Sequence, residues 1–335
     1  MVNKIETELT NMLRIKYPII MAPMFLVSNL KMTLEAMKSG ITGAIPALNY
    51  RTINEFRKAL EVLKNEGEGP FGINLIVNKS NVKMKAQLKA CVDYQVDYII
   101  TSLGNPKPVI DACNPKGIKV FCDVVDQRYA TKVENLGADG LIAVNSRAGG
   151  HSGPMQVNEL ISSLKNFCNI PVISAGGIGT GGGVFDVLKM GACGLSIGTI
   201  FIACEEAEIS KEYKQAIVDH GEKDIVHTTK LSGTPCTVIN TPYVQQIGTE
   251  QNWLEQLLNK NKTLKKYAKM ITAFKGMKMI EKAAFNTTYK SVWCAGPSVE
   301  FVDEILPVRK IVEKIIKEYT NAEIQNNQEM ESIKV

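Results

Sequence analysis

The sequence predicts an α/β protein built on a closed (β/α)8 TIM barrel with a helical C-terminal lid, and three observations support the barrel. Eight short apolar runs alternate with amphipathic segments between residues 17 and 203, which indicates a parallel sheet covered by helices. Eight such units in about 190 residues fit a closed barrel better than an open doubly wound sheet. The first run leads into Ala22, Pro23 and Met24, without the Gly-x-Gly-x-x-Gly turn of an open nucleotide-binding sheet.

The eight apolar runs are predicted strands at residues 17–24, 41–48, 71–77, 97–104, 119–125, 140–146, 171–177 and 194–203. Helices are predicted after the first seven, at residues 30–39, 52–66, 82–95, 108–113, 128–136, 157–168 and 183–190, and after the eighth at 206–218. Pro18 and Pro171 open their strands, where a missing amide donor does little harm.

The pattern changes after the eighth unit, so residues 1–220 are assigned to the barrel and residues 221–302 to a helical lid over its mouth. Residues 225–246 are turn-rich and are expected to be poor in strands, whereas residues 251–285 are expected to be helical. A last helix is placed within residues 303–319, and its apolar spacing predicts that one face packs back on the barrel. The polar residues 320–335 are expected to form a flexible tail.

The composition is that of an ordinary soluble protein. No apolar run approaches the roughly 18 to 20 residues that cross a bilayer, and the N-terminus lacks the apolar core of a secretory signal. The eight cysteines have no Cys-x-x-Cys spacing and lie mostly in apolar runs, which favours reduced core residues over a disulfide frame or a zinc site. We therefore expect a cytoplasmic protein without a metal and without a membrane partner.

The net charge of +5 has a strong local component, because residues 260–282 carry eight lysines against the single acidic residue Glu281. Such a stretch is most often a solvated helix face. The functional alternative is a docking face for an anionic group, such as an acidic carrier protein. Nucleic acid is disfavoured, since arginine is scarce there and no recognition motif accompanies the lysines. The sequence does not indicate an oligomeric state.

Chemistry in such a barrel collects where the strands end. Asn74 lies within the third predicted strand, Asp123 ends the fifth, and the glycine-rich loop with His151 follows the sixth. Histidine has the ordinary pKa nearest to neutral pH, which suits proton transfer. The alternative for His151 is a turn residue bonded to a backbone carbonyl, and the alternative for Asp123 is a solvent-facing loop carboxylate.

Glycine clusters after the seventh and eighth strands predict a phosphate site. The first contains Ser174, Gly176 and Gly177, and the second contains Gly198 and Thr199. These are the positions at which such barrels bind phosphate, since glycine lets backbone N–H groups turn inward and a helix N-terminus favours an anion. The pattern fits flavin mononucleotide (FMN), and it fits a sugar phosphate equally well.

Six motifs resemble the nitronate monooxygenase family, whose scaffold is shared by FMN-dependent enoyl-acyl-carrier-protein reductases of the FabK type. They are Tyr-Pro-Ile-Ile-Met-Ala-Pro-Met at 17–24, Gly-Ile-Asn-Leu at 72–75, Ala-Gly-Gly-His-Ser-Gly at 148–153, Ala-Gly-Gly-Ile at 175–178, Gly-Leu-Ser-Ile-Gly-Thr at 194–199 and Trp-Cys-Ala-Gly at 293–296. The resemblance spans residues 9–316 and implies an FMN-dependent barrel with a substrate lid.

The resemblance also implies roles for single residues. His151 would be the catalytic residue above the flavin. The other implied contacts are with the cofactor: Met21, Ala22, Pro23, Met24 and Asn74 at the ring, Gly149 and Gly150 against the flavin, and Gly176, Gly177, Gly198 and Thr199 at the phosphate. The chain departs from the family at Arg147, before the histidine motif, and at Asp123, where many relatives place a lysine beside the flavin.

The implied activity is oxidation of alkyl nitronates by O2 to a carbonyl compound and nitrite, with His151 as the base. The alternative is NAD(P)H-dependent reduction of enoyl thioesters on acyl carrier protein, which the basic residues 260–282 would suit. A sugar-phosphate aldolase or isomerase is a third class, but it needs a lysine or carboxylate base at a strand end, and Lys79 is the nearest lysine. The lid carries no motif that identifies the substrate.

Overall fold

Eight parallel strands close into a barrel in the computed structural model, which describes residues 4–79, 81–230, 235–250, 281 and 292–332. The strands are β1 (Ile19–Met21), β2 (Thr42–Pro46), β3 (Phe71–Ile76), β4 (Tyr98–Ser102), β5 (Lys119–Val124), β6 (Gly140–Val144), β8 (Val172–Ala175) and β9 (Gly194–Ile197). They pair in chain order, and β9 closes the barrel on β1. The short strand β7 (Gly150–His151) belongs to a second sheet. The other eight strands form the barrel, which confirms the eight predicted barrel strands.

Helices surround the barrel, and several begin at side-chain caps that the sequence supplies. The helices are α1 (Glu8–Leu13), α2 (Leu30–Lys38), α3 (Ile53–Glu66), α4 (Met84–Asp93), α5 (Lys107–Cys113), α6 (Gln127–Asn135), α7 (Val157–Phe167), α8 (Gly181–Lys189), α9 (Lys211–Asp219), α10 (Pro242–Ile247) and α11 (Val308–Ser332). Thr52 and Glu55 form a capping box at α3, and Asp126 caps α6. Each cap satisfies an amide that would otherwise lack a partner.

The floor of the barrel is filled by Tyr98. Its ring lies against Phe121, and its hydroxyl is 3.1 Å from Oγ1 of the buried Thr42. The ring occupies the space that a side chain at Gly72 would need, since a Cβ there would lie 2.1 Å from the Tyr98 ring. Leu9 on α1 packs in the same way against Gly194, so the N-terminal helix closes the floor from outside.

The last helix is longer than predicted. It runs to Ser332, so most of the expected tail is helical, because no glycine or proline interrupts residues 308–332. Its buried face packs on α8, where Gly181 allows the two backbones to approach closely. Glu318 accepts a hydrogen bond of 2.8 Å from the Gly181 N–H. The helix thus lies against the helix layer of the barrel at α8.

The segment after the barrel contains strands, contrary to prediction. Strands β10 (Ile225–Thr228) and β11 (Cys236–Ile239) are antiparallel, and β11 also pairs with β7. The expected helical region at 251–285 and the basic residues 260–282 lie outside the described residues, apart from Glu281, which forms an ion pair of 2.9 Å with Arg51. No helix among the described residues is long and apolar enough to cross a membrane.

Gly72→Ala is expected to destabilise the barrel by about 1–3 kcal/mol, because the added methyl group meets a ring that cannot move away. Gly182→Ala is the matched control, since a Cβ there meets no atom within 4 Å and alanine favours the first turn of α8. Urea unfolding of the two variants checks this. Equal unfolding free energies for the two would contradict the packing of the floor.

Candidate functional site

The carboxyl ends of the barrel strands form an open mouth, and β1 and β9 meet on one side of it. The Ala22 N–H donates to the Ile197 carbonyl at 2.8 Å. A Cβ placed on Gly198 would lie 3.3 Å from the Met24 sulfur and 3.4 Å from the Ala22 Cβ. The structure therefore brings together the predicted residues of the first and eighth strands as one apolar wall, and Pro23 lies partly buried between Ala22 and Met24.

A chain of polar side chains crosses the ends of β3, β4 and β5. Asn74 is 8% exposed, and its Nδ2 donates to the Ser102 Oγ at 2.7 Å. The Ser102 hydroxyl in turn donates to Oδ2 of Asp123 at 2.5 Å. These three residues occupy the inward positions of neighbouring parallel strands. The barrel interior is lined by Tyr98, Ile100 and Phe121, and every second residue of a strand points to the same side. Sequence reasoning identified Asn74 and Asp123 but missed Ser102, which connects them.

Burial raises the pKa of Asp123 to about 6, although the hydrogen bond from Ser102 acts in the opposite direction. The carboxyl is therefore a titratable group at the mouth whose ionisation falls just below neutral pH. It is partly buried and is not the solvent-facing carboxylate of the alternative interpretation.

His151 is held by a strand rather than by a flexible loop. Gly150 and His151 pair with Thr237 and Cys236 of β11. The Thr237 hydroxyl donates to the Ala148 carbonyl at 2.9 Å, which fixes the turn before the strand. This contact joins the end of the sixth barrel strand to the segment that follows the barrel.

The pKa of His151 lies below its ordinary value of 6.5 because surrounding protein atoms desolvate the charged ring. The residue as a whole is nevertheless exposed to solvent. At neutral pH the imidazole is thus mainly uncharged and able to accept a proton.

Arg147, the departure in front of the histidine motif, anchors the loop. Its guanidinium forms two parallel hydrogen bonds to Glu222, of 2.6 and 2.7 Å. Its side chain also lies against Gly177, where a Cβ would be 2.8 Å from the Arg147 Cβ. The Glu222 N–H donates to Glu300 at 2.8 Å, which extends the connection to the segment before α11. Nothing in the sequence indicates this pairing, because the two residues are far apart in the chain.

The glycine loop after β8 has the geometry of an anion cradle. Gly176 and Gly177 both have positive φ, of 116° and 76°, so consecutive N–H groups can turn to the same side. The N–H groups of residues 177–179 donate to no described residue. At the α8 N-terminus one amide is already occupied, because the Gly181 N–H donates a hydrogen bond to Glu318.

The second part of the predicted phosphate site adjoins Gly149. A Cβ there would lie 2.9 Å from the Thr199 Oγ1, and the Gly296 N–H donates to that oxygen at 3.0 Å. A Cβ on Gly150, which has a φ of 74°, would meet no atom within 4 Å, so this glycine borders open space.

Ser174 does not join the mouth through its side chain. Its neighbours Ile173 and Ala175 contact the barrel interior, and alternation directs Ser174 toward the helix layer. Its hydroxyl is buried and has no hydrogen-bond partner among the described residues. The predicted role of Ser174 in binding the cofactor stays a prediction, and the direction of its strand leaves that role to the backbone.

Comparison with known proteins agrees with this geometry. The profile of the nitronate monooxygenase family matches residues 80–318. The chain belongs to the nitronate monooxygenase family. It is therefore an oxidoreductase, and the resemblance noted from the six motifs is confirmed.

Individual relatives have low sequence identity to this chain, but they align with it over most of its length. A probable nitronate monooxygenase of Staphylococcus saprophyticus is 26% identical over 289 residues, covering 73% of this chain and 81% of that protein. An indene-carboxyl-CoA dehydrogenase of Rhodococcus jostii is 26% identical over 243 residues, covering 72% and 68%. The structure of FabK from Thermotoga maritima superposes with a TM-score of 0.85 at 27% identity, over 97% of this chain and 99% of that one.

No group of three or more potential metal ligands occurs within the ranges that the structure describes.

Asp123→Asn is expected to change the pH dependence of stability. Because the folded carboxyl has a pKa raised from 3.8 to about 6, its contribution to stability is full below about pH 4 and is lost as the pH rises through 6. The free energy of unfolding of the variant, relative to that of the parent protein, should therefore rise by about 1–2 kcal/mol between about pH 4 and pH 7.5. This is less than a fully buried carboxyl would give.

Urea unfolding at the two pH values measures this change, with Asp111→Asn as the control. Asp111 is exposed on α5 and forms an ion pair with Lys107, so its effect should change by less than about 0.5 kcal/mol. A pH-independent effect of Asp123→Asn would contradict the raised pKa.

Proposed function

We propose that this protein uses FMN to oxidise alkyl nitronates with O2, giving a carbonyl compound and nitrite. The observation that carries the proposal is the position of His151, which the β7–β11 pairing holds at the barrel mouth beside the glycine loops. Family membership supports the class of reaction. The substrates are accordingly a small nitro compound and O2.

The residues present fit FMN. The cradle of Gly176 and Gly177 would take the phosphate, together with Gly198 and Thr199, because the turned N–H groups favour an anion. The apolar wall of Ala22, Pro23 and Met24 would meet one face of the ring system, and the open space at Gly150 would admit its other side. Bound FMN would supply the electron-transfer chemistry that side chains cannot perform.

His151 would act as the base for neutral nitroalkanes. Its lowered pKa keeps the imidazole uncharged at neutral pH, so it can accept the α-proton of the substrate. The imidazolium formed would then stabilise the anionic nitronate. A substrate supplied as the nitronate has already lost that proton and would need His151 only for binding.

Asn74 and Asp123 would form the polar edge of the cofactor site. Their connection through Ser102 fixes both side chains, so the amide and the carboxylate keep constant orientations toward the mouth. With a pKa of about 6, Asp123 is mostly ionised at neutral pH. A cofactor atom that faces Asp123 should therefore be a hydrogen-bond donor.

Reduction of an enoyl thioester with NAD(P)H is the second candidate, favoured by the close superposition on FabK. An acidic carrier protein would dock on the basic residues 260–282. The residues 221–302 would act as the substrate lid in either case, with residues 1–220 as the FMN-binding barrel.

Two measurements separate the candidates. The first is oxygen uptake by the FMN-loaded protein with ethyl nitronate and propyl-2-nitronate, and uptake with stoichiometric nitrite release is expected. The second is anaerobic mixing with NADH or NADPH, which should leave the flavin absorbance unchanged. Absence of oxygen uptake together with rapid bleaching of the flavin would overturn the proposal in favour of the reductase.

His151→Ala is expected to lower turnover of neutral nitroalkanes by about 100-fold or more, because the side chain that accepts the α-proton is removed. Turnover of preformed nitronates should fall much less, and FMN should remain bound. His227→Ala is the matched control, since His227 is exposed on the same small sheet. Steady-state oxygen consumption with paired nitroalkane and nitronate substrates gives both values. Equal losses for the two substrate forms would contradict the role of His151 as base.

A further inference from the structure

Two cysteines lie on the sheet that holds His151. Cys236 of β11 is directly opposite His151. Cys294 pairs with Val238, two residues further along β11, through an isolated antiparallel β-bridge of the backbone. Residues that face each other across paired strands point to the same side of a sheet, as do alternate residues of one strand. The side chains of Cys236, Cys294 and His151 therefore share one face.

The two thiols are neighbours on this face, and their interaction lowers the pKa of Cys294 below its ordinary value while raising that of Cys236. Cys294 is partly buried, whereas Cys236 is buried. The pair thus contains one sulfur that can ionise and attack, and a second sulfur positioned next to it.

We propose that Cys236 and Cys294 form an oxidation site, at which a hydroperoxide converts the two thiols into a disulfide. This inference does not depend on the proposed substrate.

The chemistry balances with hydrogen peroxide as the oxidant. The Cys294 thiolate attacks one peroxide oxygen, the O–O bond breaks, and the leaving hydroxide takes up the proton that the Cys294 thiol released, so that water departs as Cys294 becomes a sulfenic acid. The Cys236 sulfur then attacks the Cys294 sulfur, the S–O bond breaks, and a second water leaves as the S–S bond forms. The two thiols together give up two electrons, and these reduce one peroxide to two waters.

The bond would tie together the two ends of residues 237–293. The Trp293–Gly296 segment is already attached to the barrel, because Tyr213 donates to the Cys294 carbonyl at 2.6 Å and Gly296 donates to Thr199. A disulfide from Cys294 to Cys236 would therefore join the strand opposite His151 covalently to a segment fixed beside Gly149 and Thr199.

A second pair of neighbouring cysteines provides an internal comparison. Cys91 and Cys113 lie near each other in the helix layer, and both are buried. Burial raises the pKa of each thiol, so neither forms a thiolate near neutral pH. This pair should remain reduced under conditions that oxidise Cys236 and Cys294.

The test treats the full-length flavin-loaded protein with hydrogen peroxide, quenches it with acid, and alkylates it under denaturing conditions. Intact mass should show that two of the eight thiols are lost, and peptide mapping should find Cys236 linked to Cys294. Dithiothreitol should restore both. Retention of all eight thiols, or a linkage that includes Cys91 or Cys113, would overturn the proposal.

Variants identify the attacking sulfur. Cys294→Ala should retain all of its remaining thiols after peroxide treatment, whereas Cys236→Ala should accumulate a sulfenic acid at Cys294 that dimedone traps. Cys91→Ala is the control and should still lose two thiols. Dimedone labelling of Cys236 in the Cys294→Ala protein would contradict the assigned order. If either variant fails to fold, the peptide map of the wild-type protein still shows whether Cys236 and Cys294 become linked.

Discussion

The pairing of Gly150 and His151 with β11 is the constraint on which the rest of the site depends. A two-residue strand has little stability of its own, so its position derives from β11, from the Thr237 hydroxyl and from the ion pair between Arg147 and Glu222. Because β11 follows the barrel in the chain, the segment after the barrel supports the histidine. A change in this segment should therefore alter the position of His151.

The mouth has two electrostatic sides. The turned N–H groups after β8 favour an anion, while the chain from Asn74 through Ser102 to Asp123 ends in a carboxylate. A ligand with a phosphate at one end and hydrogen-bond donors at the other satisfies both sides, and a flavin nucleotide has that polarity. The loop with His151 follows β6, which lies between β5 and β8 in the barrel, and the uncharged imidazole adds no fixed charge to either side. The floor contributes nothing to this chemistry, because Tyr98 fills it.

The sequence was most informative about the barrel. Its strands are buried on both faces and appear as continuous apolar runs, and eight of them are enough to specify closure. Strands β10 and β11 were missed because they are four residues long and mix polar with apolar residues, as in Ile-Val-His-Thr at 225–228. Their pairing is also long-range. For the same reason the sequence did not indicate the ion pair of Arg147 with Glu222 or the hydrogen bond of Ser102 to Asp123. The direction of the Ser174 side chain, in contrast, follows from the two-residue period of a strand.

The central claim is that FMN binds at this mouth with its phosphate on the glycine loops, and a binding comparison of FMN with riboflavin tests it most directly. The two ligands share the ring and the ribityl chain and differ only in the phosphate. Titration of the flavin-free protein, followed through the flavin absorbance near ~450 nm, should show one FMN per chain. Riboflavin should bind about 100-fold more weakly, since it loses charge-assisted hydrogen bonds to the cradle. Equal affinities for the two ligands, or no binding of either, would contradict the account.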